Sequence, residues 1–394
     1  MQPTATRPAR LPQIDVLRLL ICASVVALHV TGNANPVTSV GSNAVVNLLH
    51  YTRQGFFFIS ALVLVYTHRD GKGATRRRIA VLGVPYLVWC TIYAVIGLFL
   101  AFSWWSVRRL PWTWFVGLIQ GTDGYHMYFL LVSVQFAIVF PLFVRLLRAT
   151  QGHHGTLLLV SGLVEVGLMA FYHYGYLPNG WWRSIAGESS LTAYQFWVVA
   201  GGVAALHVDT FHAWMTRHRM LVWSAFGAVC AAATATYFVN MRAHHEAPEY
   251  AALSLQPITV PLSVAAIGAF YLLSVRIAAI GQPLARRAID LGTYLAFGIY
   301  LCHPALLYPL LLIEHHLPVA VRHQAALLTV LIFLVDFTLA VSVAALLSRT
   351  RWSRALVGRP QRRAGRAAGA TRAAEPAPAP GGEGAEPAPA AAQG

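Results

Sequence analysis

The sequence predicts an all-α fold, a polytopic membrane protein of about ten transmembrane helices. Three observations predict it. Of 394 residues, 57% are hydrophobic and only 11% charged, with a mean hydropathy of +0.56, whereas a soluble chain carries about a quarter charged residues. Apolar stretches long enough to cross a bilayer recur at 14–33, 44–66, 79–102, 126–147, 156–175, 190–207, 219–240, 251–274, 290–313 and 322–348. The loops between them carry basic residues on alternate sides.

Span 14–33 lacks a small-residue cleavage site and is followed by further spans, so it is expected to stay as a helix. Span 44–66 contains the aromatic run Phe56-Phe57-Phe58 followed by Ser60-Ala61, and span 79–102 follows directly on Arg76-Arg77-Arg78. Span 126–147 opens on His126-Met-Tyr-Phe-Leu130. Span 156–175 holds Glu165, and 322–348 holds Asp336. Spans 190–207, 219–240 and 251–274 are set by their apolar runs, and 290–313 carries His303-Pro304. Residues 1–13 form an N-terminal segment and 14–348 the membrane domain. Residues 349–394 turn basic, then rich in Ala, Pro and Gly, a composition that cannot bury a core and is expected to be disordered.

One set of loops holds Arg7/Arg10, Arg69 to Arg78, Arg145/Arg148, Arg217/Arg219 and Arg276/Arg286/Arg287, and the opposite set only Arg108/Arg109, Arg183 and Arg242. The positive-inside rule then places both termini in the cytoplasm, with the protein in the inner (plasma) membrane. The net charge of +15 is spent in loops and tail, so no nucleic-acid partner is expected. The 11 Trp and 16 Tyr suit interfacial belts beside membrane lipids. Cys22, Cys90, Cys230 and Cys302 lie in apolar runs without CxxC spacing and read as small core residues. His153-His154, His244-His245 and His315-His316 lack zinc spacing, and no nucleotide loop, GxSxG or HExxH occurs, so no metal is expected.

The candidates for chemistry are ionisable groups in spans, where a charge costs several kcal/mol unless paired or facing a wet cavity. Arg18 and His29 stand eleven residues apart on the first span. At 100° and 1.5 Å per residue they share one face within about 20° and lie about 16 Å apart along the axis. Asp15, one turn before Arg18, could pair with it, or both could mark the helix end with Arg18 snorkelling. His29 is either a catalytic imidazole or a hydrogen-bonding partner for a neighbouring helix. Arg76, Arg77 and Arg78 read either as a topology signal or as a cationic clamp for phosphates. His303-Pro304 frees a backbone carbonyl inside a span and suggests a lined cavity. Glu165 and Asp336 are expected to find polar partners.

Together these residues resemble the integral-membrane acyltransferase 3 family over about 12–348. The pattern Asp15, Arg18, His29 matches its first-span motif, and Phe57-Phe58-Ile59-Ser60-Ala61 its Phe-Phe-x-x-Ser-Gly element with Ala for the usual Gly. Arg76–Arg78, His126–Leu130 and Gly298–Pro304 match three further elements in order. The resemblance implies an acyl-CoA donor, most often acetyl-CoA, used as a substrate and not held as a cofactor. It implies an acceptor hydroxyl on a glycan, a lipid-linked sugar or a secreted small molecule, as in O-acetylation of cell-envelope polysaccharide. The family's usual carboxy-terminal esterase-like domain is missing from the sequence, which leaves the acceptor open.

Geometry and resemblance combine into one scheme. Arg18 and Arg76–Arg78 hold the donor's phosphates. His29, with Arg18 and Asp15 on its helix, acts as general base or forms an acyl-imidazole. His126 and His303 line the acceptor cavity, and Ser60 donates to the oxyanion. The competing class is a transporter with a proton relay through intramembrane His, Glu165 and Asp336.

Overall fold

A computed structural model describes residues 10–68, 74–175 and 187–361. Among these residues every regular element is helical and no strand occurs. The order is α1 (Pro12–Asn33), α2 (Val40–Leu49), α3 (Tyr51–Thr67), α4 (Ala74–Leu100), α5 (Trp104–Gln120), α6 (Tyr128–Ala149) and α7 (His154–Tyr174). A 3-10 turn (Leu191–Tyr194) leads into α8 (Gln195–Leu206), α9 (Val208–Arg217), α10 (Arg219–Ala243) and α11 (Pro248–Ala251). The chain continues through α12 (Thr259–Ala278), α13 (Pro283–His315), α14 (Val319–Arg322), α15 (Ala325–Leu347) and α16 (Ser353–Val357).

Among the described residues nine helical stretches are long and apolar enough to cross a membrane, with α2 and α3 counted as one stretch from Val40 to Thr67. A tenth is broken: the 3-10 turn with α8 bends by 97° into α9. Nine of the ten expected spans are thus present as long apolar helical stretches, the bent pair stands at the expected 190–207 span, and the protein is a multi-pass membrane protein. Two local expectations differ. Span 251–274 starts late, because 252–258 form a turn and α12 begins at Thr259. A further helix, α5, occupies a stretch with no expected span. Ser103 caps it by accepting from the Ser106 amide, and Gly121 at φ 72° ends it. Its exposed Trp104, Trp105 and Trp112, with Arg109 over the Trp105 ring at 4.4 Å, give it the surface of an interfacial helix.

Helix α1 starts with Pro12 in its first turn and Asp15 near its positive dipole end. It packs against α2, α3, α12, α13 and α15, so Arg18 and His29 are carried on a helix at the centre of the bundle. The α2–α3 stretch is 67% buried and α12 61%, whereas α7 and α10 are 17% buried, which separates an inner group from a lipid-facing rim. The closest approach is α3 against α8. A Cβ on Gly201 would lie 2.1 Å from the Phe58 carbonyl oxygen and 3.0 Å from Ala61. Small residues permit such approaches where lipid removes the hydrophobic drive. This is the surface that needs a small residue at 61, and Ala satisfies it.

The expected boundary at 348 falls short. Residues 349–361 are ordered and fold back onto the bundle. Trp89 donates its indole N–H to the Leu356 carbonyl at 2.9 Å, and Tyr294 donates to the Pro360 carbonyl at 2.6 Å. Gly358, at φ 63°, turns the chain where a side chain would strike Phe297. The apolar residues Leu356 and Val357 in this return explain the docking, which the basic composition around them conceals. Residues 362–394 lie outside the described part.

Candidate active site

Three imidazoles from distant stretches of chain meet inside the bundle. His29 of α1 and His303 of α13 lie with ring centroids 5.4 Å apart, nearly parallel. His126, in the turn before α6, stands edge-on to His303 at 5.6 Å. Tyr125 packs on His29 at 4.7 Å, and Tyr93 and Tyr300 close on His126 at 5.0 and 5.3 Å. Tyr300 also donates its hydroxyl to the His126 carbonyl. His126 is 1% exposed and His303 fully buried, while His29 is half-buried.

The local sequence fixes His303. Pro304 has no N–H, so the Tyr300 carbonyl loses its normal helical donor. Helix α13 nevertheless runs on unbroken, because His303 Nδ1 lies 2.8 Å from that carbonyl and 3.2 Å from Ile299's. Carbonyls only accept, so Nδ1 carries the proton and Nε2 keeps its lone pair. That Nε2 is buried without a partner among the described residues. The ring nitrogens of His126 and the Tyr125 hydroxyl are likewise unpartnered, the nearby Leu301 carbonyl being taken by Tyr93 at 2.6 Å. Buried polar groups are nearly always satisfied. Several orphaned atoms around one aromatic box mark a place where a polar guest completes the bonding.

Arg53 of α3 lies beside this box. Its Nη1 donates to Glu188 Oε1 at 2.6 Å and to Ser254 Oγ at 2.7 Å, and its guanidinium faces the Tyr128 ring at 5.5 Å. Burial alone would push the Glu188 carboxyl up. The Arg53 charge and the Ser254 hydroxyl outweigh it and hold Glu188 below its ordinary value.

At the other end of α1 a second cluster forms. Arg18, Arg78 at the start of α4, and Arg359 in the C-terminal return lie within electrostatic reach of one another. Arg18 forms no ion pair among the described residues. Asp15, its expected partner, instead accepts from Arg10 Nε at 2.6 Å, and Arg10 bridges on to Asp290 at 2.7 Å. Asp15 is therefore tied to the start of α13 and acts on Arg18 from a distance, not as an ion-pair partner. Three guanidinium groups, none of them in an ion pair among the described residues, form a site for a multiply charged anion. Along α1 this site and His29 are eleven residues, about 16 Å, apart.

An acyltransferase-domain family model, that of the acyltransferase 3 family, matches residues 11–349. The chain belongs to the acyltransferase 3 family. No curated protein and no solved structure matches it. The protein is thus a membrane acyltransferase.

Other expected residues of the acyltransferase are placed differently. Arg76 is exposed, and the Arg77 side chain lies outside the described part, so of the triplet Arg78 is the member that meets Arg18. Ser60 does not join the histidines. Tyr51 bonds Ser24 and Gly55 abuts Ile21, a register that sets Ser60 near the level of Val16, about three turns from His29. Periodicity gives a helix face but not depth, which is why the Ser60 expectation fails.

The two intramembrane carboxyls also part ways. Glu165 accepts from Trp197 Nε1 at 3.0 Å, Gln195 Nε2 at 3.1 Å and the Phe196 amide at 3.4 Å, so it caps α8. Asp336 has no partner among the described residues. His154 is a brace, its ring bonded to His207 and to the Leu147 carbonyl, each at 2.9 Å. Among the described residues no three His, Cys, Asp or Glu side chains are arranged to hold a metal ion. An apolar groove of about 370 Å³ lined by Phe58, Trp197, Phe211 and Met215 lies apart from both clusters.

Arg53, Glu188 and Arg359 were missed by sequence reasoning. Arg53 carried a signal, a lone cation just inside the apolar 44–66 run. Arg359 had none, being one arginine in a basic stretch.

Proposed function

We propose that the protein transfers an acyl group, acetyl in the simplest case, from cytoplasmic acyl-CoA to a hydroxyl of an envelope glycan, a lipid-linked sugar or a secreted small molecule. The observation that carries this reading is the pairing of a three-arginine cluster with a three-histidine box along one helix. The spacing of about 16 Å along α1 suits an extended pantetheine arm between its phosphates and its thioester. Arg18, Arg78 and Arg359 hold the phosphates. His29, the least buried of the three imidazoles, faces the acceptor and takes its hydroxyl proton as the oxygen attacks the thioester carbon. His303, its tautomer fixed, and His126 bind the acceptor with their free nitrogens. The arginine-rich end of α1 then lies at the cytoplasmic face of the inner membrane, with both termini on that side. The transporter reading is weaker, because Glu165, one of its relay groups, is occupied in capping α8.

Mass spectrometry of surface glycans and secreted metabolites, with and without this chain, tests the proposal. Loss of an acyl mass increment is expected, and identical spectra would remove the reading. His29→Ala and His29→Gln should both abolish the increment at normal membrane level, since an amide hydrogen-bonds but does not take up a proton at neutral pH. Near-normal transfer by His29→Gln would shift the base to His126 or His303.

A further inference from the structure

Helix α15 carries one ionisable residue, Asp336; its other polar residues, Thr329, Thr338 and Ser342, turn their hydroxyls back onto their own helix. Leu327, Val330, Leu331, Leu334, Val335 and Leu339 are exposed around it, while Asp336 is fully buried on the side that packs against α13. Both of its carboxyl oxygens lack a hydrogen-bond partner among the described residues. A carboxyl in a span is costly and calls for a reason.

Its position supplies one. One turn along α15, the Ala340 carbonyl lies 3.6 Å from Cys302 Sγ, next to His303. Asp336 is within electrostatic reach of Cys302 and of Tyr125, and the Tyr125 ring is 4.7 Å from that of His29. The groups acting on His29 are His303, His126, Arg53 and His50, none of them an anion. Glu188, the other carboxyl in the neighbourhood, is committed to Arg53. Tyr93, Tyr300 and Tyr308 complete the ring of titratable groups around the box.

We infer that Asp336 is the counter-charge for the proton that His29 accepts during transfer, acting through Tyr125. This rests on the acyl-transfer reading above. In that step the acceptor O–H bond breaks, its oxygen bonds to the acyl carbon, and the proton goes to His29. The C–S bond then breaks, and the leaving CoA thiolate takes the proton back. His29 is an imidazolium in between, inside a low-dielectric box beside Arg53. Without a compensating negative charge that state is strongly disfavoured. Asp336 touches no substrate, so it is a positioning residue.

The test uses inverted membrane vesicles from cells that carry the natural acceptor, given radiolabelled acetyl-CoA. Rates are taken per inserted protein. Asp336→Asn keeps the shape and matches a protonated carboxyl. The maximal rate should fall at least tenfold with the half-saturating acetyl-CoA concentration unchanged. With its anion gone His29 holds a proton less well, so the acid limb of the rate profile should move to lower pH by about one unit, a tenfold change in protonation. Asp336→Glu should recover part of the rate. An Asp336→Asn protein with the wild-type rate and pH profile overturns the inference, as does one that merely unfolds at lower temperature with an unchanged maximal rate. Wild-type vesicles that incorporate no label would instead overturn the acyl-CoA reading itself.

Discussion

Replacing Arg359 by Gln should weaken donor binding and at the same time stabilise the empty protein. Arg359 is partly exposed in the C-terminal return, outside every span, so the change leaves membrane insertion alone. Its backbone carbonyl, which accepts from Ser353 Oγ at 2.8 Å, is retained. A charge pair at contact is worth about 4 kcal/mol at an effective dielectric of 20. Ionic screening and partial exposure reduce this to about 1–2 kcal/mol, a 5- to 30-fold loss of acetyl-CoA affinity. The empty protein moves the other way. Arg359 repels both Arg18 and Arg78, and relieving that repulsion should raise the thermal midpoint by about a degree or two. Equilibrium binding of acetyl-CoA to the purified protein measures the first effect, and thermal unfolding without ligand the second. The wild-type affinity should also fall more steeply with salt than that of the variant. Unchanged affinity, or a lower midpoint, would refute the assignment of this cluster to an anionic donor.

Glu165→Ala should cost about 2 kcal/mol of stability, because it strands the buried Trp197 donor and leaves Gln195 with the Ser161 carbonyl alone, yet leave the rate per folded molecule intact. Thermal unfolding and transfer assays side by side check this, and a rate loss without destabilisation would return Glu165 to the chemistry. Reporter fusions after Arg78, Arg148, Arg219 and Arg287 should all report the cytoplasm, and an opposite signal at any of them would break the proposed orientation.

The residues that were legible in the sequence were those whose chemistry clashed with their surroundings. Arg18 and His29 stood out because an apolar run has no local use for them, and both belong to clusters in the fold. Pro304 was legible as a freed carbonyl, although its consequence, the fixed tautomer of His303, needed the helix geometry. Asp336 was visible but was expected to be paired, like Glu165. Sequence spacing along one helix cannot tell which carboxyl meets a donor on another. Ser60 failed because a motif gives neighbours along the chain and not depth in the bundle. Helix α5 was hidden by Arg108, Arg109 and Pro111, which lower its hydropathy without preventing a helix. Arg359 could be found only by seeing the chain fold back.

The histidine box draws on chain positions 274 residues apart, from His29 to His303. At ordinary translation rates of 5–20 residues per second, His29 enters the membrane about 14–55 s before His303 is made. During that interval a nascent acyltransferase has a base without its companions, and Arg359 and Asp336 are later still. Reactivity is thus withheld from every incomplete chain, and a truncated product left in the membrane would be inert.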